Sequence, residues 1–158
     1  MDNSVTIIGL IILMIVLIPI FFMIRSQSLN KGKIKAIFAQ HSNNNHFNFA
    51  LKEIQNKKVL AIDQKNKGFI LIDFNYIPEE VTFIDLTTVA SCKLVPTTES
   101  SSSSIVKIEF EFEYKTGTKK QYVPFYTIEN DQIGQVCLYE DHQLAKKWAK
   151  IIQDCIIA

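Results

Sequence analysis

Residues Val5 to Ile24 carry no charged side chain and are almost wholly apolar. A run of about twenty such residues is long enough to cross a bilayer as one helix, which restricts any domain beyond it to one side of a membrane. The positions expected to span are Val5, Ile8, Ile12, Val16, Ile20 and Ile24. Ahead of the run the only charged residue is Asp2; behind it stand Arg25, Lys31, Lys33 and Lys35, with no acid before Glu53. Cationic flanks are retained in the cytoplasm, so the N-terminus is expected outside and the rest of the chain on the inner side of the cell membrane. A cleaved secretory signal would need a basic n-region, a shorter apolar core and a small-x-small cleavage site. Here Asp2 occupies the n-region and the exit reads Phe21-Phe22-Met23-Ile24-Arg25, which favours an uncleaved anchor.

With residues 1–25 read as the anchor, about 130 residues remain, enough for one domain with its own core. Seventeen basic residues against sixteen acidic ones give a net charge of +1, which argues against nucleic acid as a partner. Cys92, Cys137 and Cys155 are odd in number and form no Cys-x-x-Cys pair. That fits a reducing compartment, with each thiol acting as a small apolar residue rather than a ligand or nucleophile.

Residues 26–46 read as a basic and polar connector. Within Lys31 to Phe38, the spacing of Ile34, Ile37 and Phe38 predicts a short helix with one apolar side. Such a segment can lie along lipid with Arg25, Lys31, Lys33 and Lys35 toward anionic headgroups, or serve only as a topology signal and tether. His41 and His46 do not share a helical face and have no acid or thiol near them, so no metal site is expected there.

From Phe47 the period changes to two, the mark of half-buried strands. Phe47, Phe49 and Leu51 alternate with polar residues, Asn56-Lys57 makes a turn, and Val59–Ile62 and Phe69–Ile72 follow as partner strands. Asp63 to Gly68 reads as their hairpin loop, with Gly68 supplying a positive φ. Val81-Thr82-Phe83 and the stretch around Ala90, Cys92 and Leu94 continue the pattern, separated by a corner at Asp85 to Thr88. Val106, Ile108, Phe110, Phe112 and Tyr114 face one way, and Lys107, Glu109, Glu111 and Glu113 the other. That strand has one dry face and one wet face. Thr116-Gly117 returns the chain into Lys120 to Tyr126, where Pro124 implies an edge or a bulge. Pro96 to Ser104 ends in five serines and is expected to be a surface loop.

Asp141 reads as the N-cap of a closing helix whose stripe is Leu144, Ala145, Trp148, Ile151, Ile152, Cys155 and Ile156. Residues 129–138 give no clear pattern. About seven antiparallel strands followed by one amphipathic helix with a central tryptophan resemble the pleckstrin-homology-like fold. Lys58–Asp63 with Gly68–Ile72 is similar to the early hairpin of bacterial PH-like and GRAM-like domains, and Ile84 to Val89 to their corner. The resemblance covers residues 47–158 and implies a scaffold that binds headgroups, peptides or partner domains rather than one that catalyses. It also points to the hairpin lysines Lys65 and Lys67 as candidates for anionic-lipid contact.

No phosphate-binding loop, dinucleotide fingerprint, zinc-protease motif or nucleophile elbow is present. Glu109, Glu111 and Glu113 read as a solvated outer face paired with Lys107 or Lys119, and Tyr114, Tyr122, Phe125 and Tyr126 as packing residues rather than a base-stacking platform. The expectation is therefore a transmembrane helix followed by a mainly β, PH-like domain, working as a non-enzymatic binding or assembly module. No catalytic, metal or cofactor residues are expected, and the partners are the lipid bilayer and another membrane or cytoplasmic protein. An anionic-lipid sensor, or a membrane-anchored small-ligand receptor or enzyme with a pocket between its sheets, is the alternative.

Overall fold

The computed structural model describes residues 13, 14, 18, 31–42, 46–99, 104–117, 119–128 and 132–158, with side chains of the last stretch described from residue 137. Val5, Ile8, Ile12, Val16, Ile20, Ile24 and Arg25 lie outside these residues, as do most of the serines. Among the described residues no helix is long and apolar enough to cross a membrane. The chain divides into two compact units, Met1–Asn43 and Asn44–Ala158. In the first, residues 31–41 form helix α1, with Ile34 and Ile37 buried and Lys31, Lys33 and Lys35 exposed.

The second unit is mainly β. Strands β1 (Leu51–Gln55), β2 (Lys58–Asp63), β3 (Gly68–Asp73) and β4 (Glu80–Asp85) form one antiparallel sheet in that order. A 3-10 turn at Leu86–Thr88 leads to β5 (Val89–Thr98), β6 (Ile105–Tyr114) and β7 (Lys120–Thr127), a second antiparallel sheet, and helix α2 (Gln132–Ile157) closes the unit. Phe47 and Phe49, expected within a first strand, instead precede β1 and pack with Phe83 as an aromatic cluster.

Local sequence explains the turns. Asn56 and Lys57 both take positive φ, 48° and 61°, the backbone of the two-residue hairpin whose twist matches its strands. In the β2–β3 loop the positive φ belongs to Lys67 (56°), not to Gly68 as the sequence suggested. Gly68 is needed for a different reason. A Cβ there would lie 2.5 Å from Cδ1 of Phe47, so only glycine admits the ring. Gly68→Ala is accordingly expected to destabilise by about 1–3 kcal/mol, seen as a lower urea midpoint, with Phe47→Leu in the same chain recovering part of the loss. Asp63 organises the loop: its carboxylate accepts from the backbone N–H of Asn48 (2.6 Å), Lys65 (2.9 Å) and Asn66 (3.1 Å), and from Asn66 Nδ2 (2.8 Å). Burial pushes this carboxyl up, but the four donors outweigh burial and hold it below its ordinary value.

The two sheets share one core. Phe69 of β3 lies 6.1 Å from both Phe110 and Phe112 of β6 and 6.2 Å from Trp148 of α2, ring centre to ring centre. Leu60, Ile62, Leu71 and Ile84 join from the first sheet, Ile108, Val123 and Phe125 from the second. Leu144, Ala145, Trp148, Ile152, Cys155 and Ile156 complete it from α2, with Ile151 packed at its margin. The helix stripe read from the sequence is thus the buried one. Val59, Ala61, Ile70 and Ile72 alternate with the core residues along β2 and β3, yet they too are fully buried. Unbroken apolar runs such as Val59–Ile62 mark strands buried on both faces, not the half-buried strands that period two implies.

On β6 the acids share one face, each with its own partner, but the face is not wholly solvated: Glu111 is only 9 % exposed. Lys107 pairs with Glu109 at 2.8 Å, Lys120 with Glu111 at 2.9 Å, and Ser91 donates to Glu113 at 3.2 Å. Lys119, one of the expected partners, sits instead 5.8 Å above the Tyr114 ring. Pro124 is both edge and bulge: β7 ends the sheet, and the register shifts where Pro124 faces Glu109. At the other edge, β5, one backbone donor is taken up by α2: Gln153 Oε1 accepts the Cys92 backbone N–H at 2.8 Å.

Candidate functional site

Asp141 is not the N-cap the sequence suggested. Helix α2 begins at Gln132, which places Asp141 two turns inside it, where its side chain is 1 % exposed. Its carboxylate accepts from Lys58 Nζ at 2.7 Å and from Asn56 Nδ2 at 2.8 Å. Lys58 Nζ also lies 5.3 Å from the centre of the Phe125 ring, so the ammonium is held by a carboxylate and an aromatic face together. Nearby, Glu53 of β1 accepts from Lys147 at 3.0 and 2.8 Å and from Trp148 Nε1 at 2.8 Å. Burial pulls the Glu53 carboxyl upward, but the bonds from Lys147 and Trp148 and the Lys147 charge prevail and hold it below its usual value.

These two clamps fix α2 beside the free edge of β1 and leave an open groove of about 470 Å³ between them. Glu53 and Gln55 form its strand wall; Tyr139, Glu140, Gln143 and Leu144 form most of its helix wall, with Lys147 at one end. Tyr139 is 73 % exposed. Among the described residues Glu140 has no hydrogen-bond or ion-pair partner. Among the described residues β1 has a strand neighbour on one side only. The groove thus joins unpaired backbone, an exposed aromatic ring and an unneutralised carboxylate, the elements that recognise an extended chain. Among the described residues no group of three His, Cys, Asp or Glu side chains is placed to hold a metal ion, and every buried side-chain polar atom has a hydrogen-bond partner.

The candidate lysines fare unevenly. Lys65 is exposed at the β2–β3 loop. Lys67 reaches across to the C-terminal end of α2 and donates to the Ile156 carbonyl at 3.4 Å, a helix-capping role. Lys31, Lys33 and Lys35 belong to the other unit, and His41 Nδ1 donates to the Ile37 carbonyl one turn back at 3.0 Å.

The thiols are free and unevenly accessible. Cys92 and Cys155 are buried and Cys137 is half-buried. Burial pushes the Cys92 thiol up to about 12 and raises Cys155 as well, the reverse of what a nucleophilic cysteine requires. A water-soluble disulfide reagent is expected to modify Cys137 first in native protein, with Cys92 and Cys155 reacting only after denaturation; peptide mass mapping reads the order.

The groove residues were not singled out from sequence. Tyr139, Gln143 and Lys147 recur every four residues on the exposed side of the helix, and that was the available signal. Their partners Glu53 and Gln55 lie far away along the chain, on a strand whose start the aromatic alternation displaced. Fold and site together define a mainly β domain of two antiparallel sheets closed by a C-terminal helix, with a strand–helix groove on its surface. No protein family, curated protein or solved structure matches the chain.

Proposed function

We propose that this chain is a single-pass membrane protein whose β domain, on the cytoplasmic side, is a PH-like, non-enzymatic binding or assembly module. The observation that carries the reading is the groove between β1 and α2, which is open, one-sided and lined for a chain rather than a small molecule. The element order, four strands, three strands and a closing helix with a buried tryptophan, is the one the PH-like resemblance implies. The uncharged run from Val5 to Ile24 and the basic residues after it support the anchor and its orientation. Tethering confines the domain to the membrane plane and raises its effective concentration toward other membrane proteins without any new contact. A lipid sensor built on Lys65 and Lys67 is the weaker reading, because Lys67 is engaged by the end of α2.

The test is a pull-down of the full chain from native membranes beside the same chain lacking residues 47–158. Partners lost on deletion belong to the β domain; an unchanged set removes the module. Protease added to intact cells should leave the β domain whole, and a mature chain starting beyond Ile24 would overturn the anchor.

A further inference from the structure

We infer that the β1–α2 groove takes an extended peptide as an added strand, and that the peptide carries a basic side chain. This deepens the binding-module reading and rests on it. Three observations converge. The outer edge of β1, Leu51–Gln55, has no strand neighbour among the described residues, so its outward N–H and C=O groups are free to form a ladder with an incoming chain. The neighbouring wall is a helix stripe with a four-residue repeat, Tyr139, Gln143 and Lys147, over the buried Leu144. An extended chain lying on β1 directs every second side chain toward that wall, where the Tyr139 ring offers apolar surface.

Charge selects the third property. Lys147 is bound by both oxygens of Glu53, so its charge is already neutralised. Among the described residues no neighbour neutralises Glu140, and it stands as the groove's one uncompensated charge. A Lys or Arg on the incoming strand pairs with it, whereas an acid there meets repulsion. Of the sheet edges, β5 gives one backbone donor to Gln153, β7 is interrupted by Pro124, and β4 ends the first sheet on the side away from β1; β1 is the edge whose residues line the groove.

The probe is a displayed library of random short peptides selected on the full chain in detergent micelles. Enriched peptides should alternate apolar residues and carry at least one Lys or Arg. Their binding should weaken at least about tenfold in Glu140→Lys, by charge reversal, and in Gln143→Trp, by filling the groove. Glu109→Gln on the outer face of the second sheet should leave it unchanged. Hydrogen exchange at Leu51–Gln55 should slow when an enriched peptide is added, a readout of strand pairing that packing alone would not produce. The inference is overturned if no peptide is enriched, if binding survives both groove variants, if basic residues are not selected, or if exchange in β1 is unaltered. Membrane partners that survive Gln143→Trp but are lost with residues 47–158 would sink the groove and leave the module standing; partners that survive both changes remove the module itself.

Discussion

Asp141→Ala is expected to lower the unfolding free energy by about 3–5 kcal/mol, because it leaves the Lys58 ammonium inside the domain without its counter-ion. Both side chains are nearly sealed from water, 7 % and 1 % exposed at a separation of 2.7 Å, so solvent cannot take over the lost role. The magnitude discriminates between two roles for the same residue. A helix N-cap replaced by alanine costs about 1 kcal/mol; a severed interior ion pair costs several times that. Denaturant unfolding followed by Trp148 fluorescence measures it, and a loss near 1 kcal/mol would contradict the buried-pair geometry. The double variant Lys58→Met with Asp141→Leu should recover most of the stability, since an apolar pair of similar size needs no neutralisation.

Trp148→Ala is expected to cost about 3–5 kcal/mol, the range for emptying a large aromatic site in a packed core. Trp148 is 1 % exposed and touches Phe69 from the first sheet, so its loss opens the junction of helix and sheets. Far-UV circular dichroism against urea reads the change. The gentler Trp148→Phe keeps most of the volume but removes the Nε1 donor to Glu53, and its effect should depend on pH. Glu53 is held below its ordinary value when folded, so its contribution is fully present above the unfolded carboxyl value of about 4.3. That contribution fades as pH falls through the lower folded value. Trp148→Phe should therefore lose more stability near neutrality than in strong acid, and an equal loss at both ends would show that the Glu53 bond contributes nothing.

Most of the β domain was legible as pattern. The alternation from Val106 to Tyr114 predicted which side of β6 is dry, and Phe110 and Phe112 are fully buried. The three-four spacing from Leu144 to Ile156 predicted the inner side of α2 in the same way. What failed were residues whose local meaning and tertiary meaning differ. Asp141 has the chemistry of a cap but lies opposite a lysine from another element. Gly68 sits where a hairpin glycine belongs, yet the left-handed residue is Lys67 and the glycine answers to the Phe47 ring. Phe47 and Phe49 alternate as strand residues do, but pairing begins only at Leu51, because the aromatics are held by Phe83 rather than by a ladder. The groove was illegible for a plainer reason. Glu53 and Lys147 are 94 positions apart, and no local period links them.

The Gln153 amide on β5 and the proline on β7 have a consequence at high protein concentration. A three-stranded layer whose margins are interrupted at these two points is a poorer partner for a strand from an adjacent molecule, and so a poorer template for fibre growth. Replacing Gln153 by alanine would unmask one hydrogen-bond donor, and with it the first rung of such a polymer.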